Sequence, residues 1–136
     1  MENLSVRHLE QDRFSISVRG HILYVDQPEG AGGTDTAPTP TELFVAGLAS
    51  CVAFYARRYL ARHGIATDGL AVSTDFETGG RPNRVTWITI SVQPPAGLPQ
   101  ERRAGFLAVA SHCTVHNTLA DPPAIAITLD DRVAAH

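Results

Sequence analysis

The chain has 136 residues, 43% of them hydrophobic and 18% charged, with a net charge of −3. These values suit one domain over residues 1–136 with a single substantial core, and they argue against a disordered or fibrous chain. All 11 basic residues are arginines that form no basic stripe, which argues against a nucleic-acid partner.

The opening MENLSVRHLEQDR is polar and lacks the apolar centre of a signal peptide. Residues Leu4 to Leu9 are expected to pair as a strand. In the Arg13 to Arg19 segment, Phe14, Ile16 and Val18 alternate with Ser15 and Ser17, the period of a half-buried strand. Gly20 permits a turn, and His21 to Val25 completes a hairpin. DQPEGAGGTDTAPTP, residues 26–40, is dense in Gly, Pro, Thr and Asp and reads as a long loop, a kind of segment that often carries function.

Thr39-Pro40-Thr41-Glu42 then starts a helix, with Thr39 as N-cap, Pro40 at the first helical position and Glu42 closing a capping box. Apolar residues cover nearly every face up to Ala56, so this half is predicted to be a fully covered central helix. Its longest uncharged run, Leu43 to Ala56, is too short to span a bilayer, so no membrane partner is expected. Arg57, Arg58, Arg62 and His63 suit the C-terminal end, and Gly64 can terminate it.

Leu70 to Phe76 and Ile88 to Val92 alternate as two strands joined by GGRPN, residues 79–83. Val85 and Trp87 fall out of phase with Ile88 and Ile90, which predicts a β-bulge near Trp87. Pro99 opens a second helix that places Phe106, Ala110 and Cys113 on one face, with Cys113 at its end. Ala124 to Leu129 alternates as a last strand. The sum is an α+β domain of antiparallel strands and two helices.

Cys51 on the first helix and Cys113 on the second could face the same core. Free cysteine is often buried simply as a small apolar residue, so packing and chemistry both remain open for the pair. If the sulfurs converge, a peroxidatic and a resolving thiol become possible: a thiolate opens the O–O bond, becomes a sulfenic acid and condenses with the second thiol. His112, Cys113 and His116 with Cys51 offer four potential metal ligands, but no spacing fixes a tetrahedral site, and no metal is expected. His116 and Asn117 are expected to hydrogen-bond the loop after the helix. Tyr55, Tyr59, Phe44, Leu48 and Trp87 are either core or the wall of an apolar pocket.

TPTELFVAGLASC, followed by a helix ending in RHG, together with HCTVHNTL, resembles the OsmC/Ohr family of osmotically inducible and organic hydroperoxide resistance proteins. The GG…PTP segment and the final IAITL fit the same pattern, and the resemblance runs from about Arg13 to Leu129. It implies an OsmC-like fold, an intertwined homodimer whose antiparallel sheets wrap two long central helices, with active sites at the dimer interface. It also implies thiol-dependent reduction of organic or lipid hydroperoxides in oxidative stress defence, with Cys51 peroxidatic and Cys113 resolving. The reductant would be an external dithiol such as lipoamide, with no haem, flavin or metal as cofactor; the polar opening and the two cysteines, independently of the resemblance, lead to an expected cytoplasmic setting.

In family hydroperoxidases an arginine holds the thiolate and a glutamate anchors that arginine. A thiol among Leu48, Val52 and Phe54 is desolvated and needs such a cation to ionise near neutral pH. The glutamate position corresponds here to Thr41. Glu42 lies about 180° around a straight helix from Cys51, which makes it a cap residue first and a catalytic one only if the first turn is irregular. The arginine position falls near Glu10, leaving Arg7, Arg13 and Arg19 as candidates, with Arg13 taken as the thiolate partner. Two rival readings keep the fold: a binding or redox-sensing dimer with little turnover, and a protein whose cysteines are inert core packing.

Overall fold

A computed structural model describes residues 3–132. The chain begins with an antiparallel sheet of three strands, β1 (Leu4–His8), β2 (Phe14–Val18) and β3 (His21–Val25), in that spatial order. Phe14 pairs with Val25 and Val18 with His21, so the β2–β3 connection has two residues. Arg19 and Gly20 both take positive φ, 49° and 82°, as the turn types that match strand twist require.

The loop that follows is anchored by a residue the sequence did not single out. Asp26 is fully buried, and its carboxylate accepts from the Thr34 hydroxyl at 2.6 Å, the Thr36 hydroxyl at 2.9 Å, and the amides of Gln27 and Thr36 at 2.7 and 3.0 Å. These donors hold the carboxyl far below its ordinary value; the Thr34 hydroxyl contributes most, and outweighs the opposing effect of burial. Gly33 is obligatory at this point, because a Cβ there would run into the Gln27 carbonyl and the Asp26 carboxylate.

The loop delivers the chain to α1 (Pro40–Arg62). Its capping box is complete: Thr39 Oγ1 accepts from the Glu42 amide at 3.0 Å, and Glu42 Oε1 accepts from the Thr39 amide at 2.8 Å. Arg62 lies in the last turn, and Gly64, with φ of 64°, turns the chain away. With 23 residues, α1 runs beyond the Leu43–Ala56 segment and is long and apolar enough to cross a membrane by length and composition. In this fold it is the core helix: Leu48, Val52, Ala56, Tyr59 and Leu60 bury one face. Each large aliphatic buried there is worth about 1.5–3 kcal/mol relative to exposure.

That face is covered by β4 (Ala71–Gly79), β5 (Arg84–Gln93), α2 (Arg103–Ser111) and α3 (Thr114–Ala120). β4 and β5 form an antiparallel hairpin in which Val72, Thr74 and Phe76 face Val92, Ile90 and Ile88. The register shifts opposite Thr78, between Val85 and Trp87, where the change of phase predicts a bulge. The β5 residues Ile88, Ile90 and Val92 pack on the buried cluster, with Leu98, Phe106 and Ala110.

Three expectations are corrected. The helical segment after Pro99 is not one helix ending at Cys113: a 3-10 turn leads into α2, which stops at Ser111, and Cys113 is the N-cap of a separate helix, α3. The first half of α1 is not covered on every face, since Phe44 and Phe54 remain 45% and 52% exposed. The described residues of one chain cover one flank of the helix and leave these two aromatic side chains on the other open. Ala124 to Leu129 is not a strand; it runs without pairing, and Ile125, Ile127 and Leu129 are 79%, 93% and 89% exposed. The alternation is that of a strand, but among the described residues the segment pairs with none of the edges that the two sheets leave open.

Candidate active site

Cys51 lies in the middle of α1 and is partly exposed, while Cys113 is fully buried; both are free thiols. The break between α2 and α3 brings them together. By leaving helical geometry at His112, the chain turns Cys113 inward, where its sulfur accepts from the His116 amide at 3.3 Å as an N-cap. Cysteine is not a usual cap residue, but its sulfur accepts the hydrogen bond a serine oxygen would take. Burial pushes the Cys113 thiol up, and the adjacent Cys51 thiol pushes it further; the His116 and Val115 amides pull against both. The contact between the two thiols is one of proximity, since the hydrogen bond of defined geometry at Cys113 comes from His116.

The two helices are tied beside the cysteines. Tyr55, one turn beyond Cys51, shares a hydrogen bond with Thr114 Oγ1, the residue after Cys113, at 2.9 Å. Asn117 Nδ2 donates to the His112 carbonyl at 3.3 Å, and His112 Nδ1 lies 2.7 Å from the Ala108 carbonyl. These bonds brace the α2–α3 break from both sides. Asn117 thus does serve the turn, whereas the His116 bond to that region is made by its amide.

Next to the thiols lies a cavity of about 480 Å³, walled by Leu48 and Val52 of α1, Trp87, Ile88 and Ile90 of β5, and Leu107 of α2. Leu48 and Val52 flank Cys51, and Ala110 and His116, which also line it, flank Cys113. Of the residues for which core and pocket wall were both open, Phe44, Leu48 and Trp87 line the cavity; Tyr55 and Tyr59 do not. Tyr59 is buried against Phe106 and its hydroxyl donates to the Arg102 carbonyl at 3.4 Å. The wall is overwhelmingly apolar, so it suits an alkyl chain rather than a small polar solute.

The charged candidates lie apart from the sulfurs. Arg7 is on β1 opposite Ser15, and Arg19 is at the tip of the β2–β3 turn. Arg13 pairs with Glu10 at 2.9 Å and lies over the Tyr24 ring at 5.8 Å, but its buried Nε has no acceptor. Their sheet meets α1 at Pro40, Leu43 and Phe44, about two helical turns before Cys51. Glu42 is spent on the cap, and Thr41 beside it is exposed. Among the described residues, one chain therefore brings together the cysteines and the cavity, but not a cation for the thiolate.

The fold and a match to a family model define the class. A family model described as OsmC-like protein matches residues 33–128, and the chain belongs to the OsmC/Ohr family. No curated protein matches it. Among solved structures it is similar to a candidate osmotic stress induced and detoxification response protein from Psychrobacter arcticus 273-4, with TM-score 0.80, 22% identity, and 87% and 88% of the two chains covered. An organic hydroperoxide resistance protein from Elizabethkingia anophelis superposes with TM-score 0.69 at 17% identity over 90% of this chain and 89% of its own. The organic hydroperoxide resistance protein OsmC from Legionella pneumophila gives TM-score 0.66 at 18% identity over 89% and 90%.

Proposed function

We propose that the protein is a thiol-dependent organic hydroperoxide reductase that works as a homodimer. The observation that carries this reading is the pair of free thiols set side by side next to an apolar cavity. The Cys51 thiolate attacks the distal oxygen of the substrate's O–O bond; the alkoxide leaves, takes a proton and departs as the alcohol. Cys51 is then a sulfenic acid. Cys113 attacks its sulfur, water leaves, and a Cys51–Cys113 disulfide remains. An external dithiol, with no bound cofactor, returns both thiols.

The cation comes from the second subunit in this reading. Arg13 fits best of the three arginines, because a carboxylate, Glu10, already holds its guanidinium at 2.9 Å. The exposed Phe54 and the unpaired Ile125 to Leu129 segment favour a second copy as cover. Steady-state turnover of cumene hydroperoxide with dihydrolipoamide tests the assignment: Cys51→Ser abolishes it, and a Cys51→Ser enzyme as fast as the wild type overturns it. The binding or sensing alternative is favoured by Thr41 at the family glutamate position. A Cys51 thiol titrating at or above the ordinary value of about 8.5 supports that alternative, and one well below it supports catalysis.

A further inference from the structure

The helix α3 opens with half of a capping box. Cys113 is its N-cap, and the Cys113 sulfur accepts from the amide of His116, the third residue of the helix. In a complete box the side chain of that third residue reaches back to the N-cap, as Glu42 does to the Thr39 amide at 2.8 Å. At α3 this position carries an imidazole instead of a carboxylate. Among the described residues His116 is bonded only through its amide, so the ring is unspent on the side of the helix that faces Cys113. His116 also lines the apolar cavity beside the thiols, and it is the one titratable residue that does so.

The resolving step of the proposed reaction has a need that these observations meet. A thiol attacks as its thiolate. Burial, however, pushes the Cys113 thiol up, and the adjacent Cys51 thiol pushes it further. The oxygen leaving the Cys51 sulfenic acid, for its part, has to gain a proton. We propose that His116 is a catalytic residue of this step, whose imidazole takes the Cys113 proton and passes it to the oxygen leaving Cys51. The proposal rests on the peroxidase reading for the origin of the sulfenic acid. As Cys113 gives its proton to the free imidazole nitrogen, its sulfur bonds to the Cys51 sulfur and the Cys51 S–O bond breaks. The imidazolium protonates the departing hydroxide to water and is imidazole again. One thiol and one sulfenic acid become one disulfide and one water: the Cys113 sulfur is oxidised, the Cys51 sulfur is reduced, and no proton is drawn from solvent.

His116→Gln removes the base while placing at the third helical position a residue that completes a capping box, so α3 is expected to keep its stability. The whole protein is mixed with one equivalent of cumene hydroperoxide in quench-flow, and dimedone-trapped Cys51 is counted against the disulfide by mass spectrometry. His116→Gln is expected to accumulate the sulfenic acid and to form the disulfide about a hundredfold more slowly than wild type, the lower end of what general acid–base catalysis supplies. Disulfide formation within twofold of wild type overturns the proposal. In His116→Ala, added imidazole enters by the cavity and is expected to speed disulfide formation in proportion to its concentration. A slow His116→Ala protein that imidazole leaves slow overturns the base assignment, because a purely structural fault gives that result. Diamide separates this outcome from the peroxidase reading. It forms a sulfenyl hydrazide on Cys51, and Cys113 then displaces the hydrazine, whose nitrogen takes up the Cys113 proton. Wild-type protein oxidised by diamide but not by hydroperoxide sinks the peroxidase reading, and the same variants compared at the diamide step then decide the role of His116. No disulfide with either oxidant overturns both.

Discussion

Glu42 can be assigned to the helix cap or to the chemistry by one pair of substitutions. Its carboxylate accepts from the Thr39 amide at 2.8 Å while its own amide donates to Thr39 Oγ1 at 3.0 Å. Glutamine preserves the acceptor and the reciprocal box, losing only the charge near the helix N-terminus, worth about 0.3–1 kcal/mol at an exposed site. Alanine removes the acceptor as well, so Glu42→Ala is expected to cost about 1 kcal/mol, similar to Thr39→Ala. For a chain of 136 residues the unfolding entropy is about 0.3 kcal/mol/K, so 1 kcal/mol lowers Tm by about 3–4 °C. The shift is the same for a dimer that unfolds as a unit, because the loss and the entropy both double. Differential scanning calorimetry and hydroperoxide turnover on the same samples are the assay. Both variants are expected to keep turnover within about twofold of wild type, since a helix cap acts on stability. A Glu42→Gln enzyme with an unchanged melting temperature but tenfold or more loss in kcat/KM refutes the cap-only assignment, because the charge alone would then matter to the thiolate.

Two further outcomes follow from the same geometry. Asp26 has a folded-state pKa below its ordinary 3.8, so its contribution to stability is full above that value and is lost as pH falls through the depressed folded value. Urea denaturation between neutral pH and strong acid should show a stability loss beginning near pH 4 that is shallower in Asp26→Asn. Tyr55→Phe removes the 2.9 Å tie to Thr114, and should cost at most about 1 kcal/mol while slowing Cys51–Cys113 disulfide formation severalfold in a stopped-flow thiol assay.

Local signals were legible where the chain satisfies them locally. The Thr39-Pro40-Glu42 cap and the serine alternation of β2 need only neighbours in sequence, and both stand where the pattern puts them. The bulge near Trp87 was visible because a strand's period of two cannot absorb an extra residue silently. Cys113 was misplaced for the opposite reason: its spacing from Phe106 and Ala110 continues a helix, and nothing in the composition of HCTVH marks a cysteine as a cap. Asp26 was missed because its partners Thr34 and Thr36 lie eight and ten residues on, beyond the reach of turn signatures. Ile125 to Leu129 shows the limit of periodicity, which reports that one face is apolar and not which molecule covers it. At the candidate site, the two cysteines could be picked out by residue type, whereas the wall of Ile88, Ile90 and Leu107 depends on long-range packing.

The unpaired segment from Ile125 to Leu129 also bears on how the protein responds to dilution. Among the described residues, its amides and its three exposed aliphatic side chains have no strand beside them. In the proposed homodimer, the second copy shields them from hydrogen exchange and proteolysis. That shielding follows mass action: it weakens as the protein is diluted, while the internally bonded β4–β5 hairpin is indifferent to concentration.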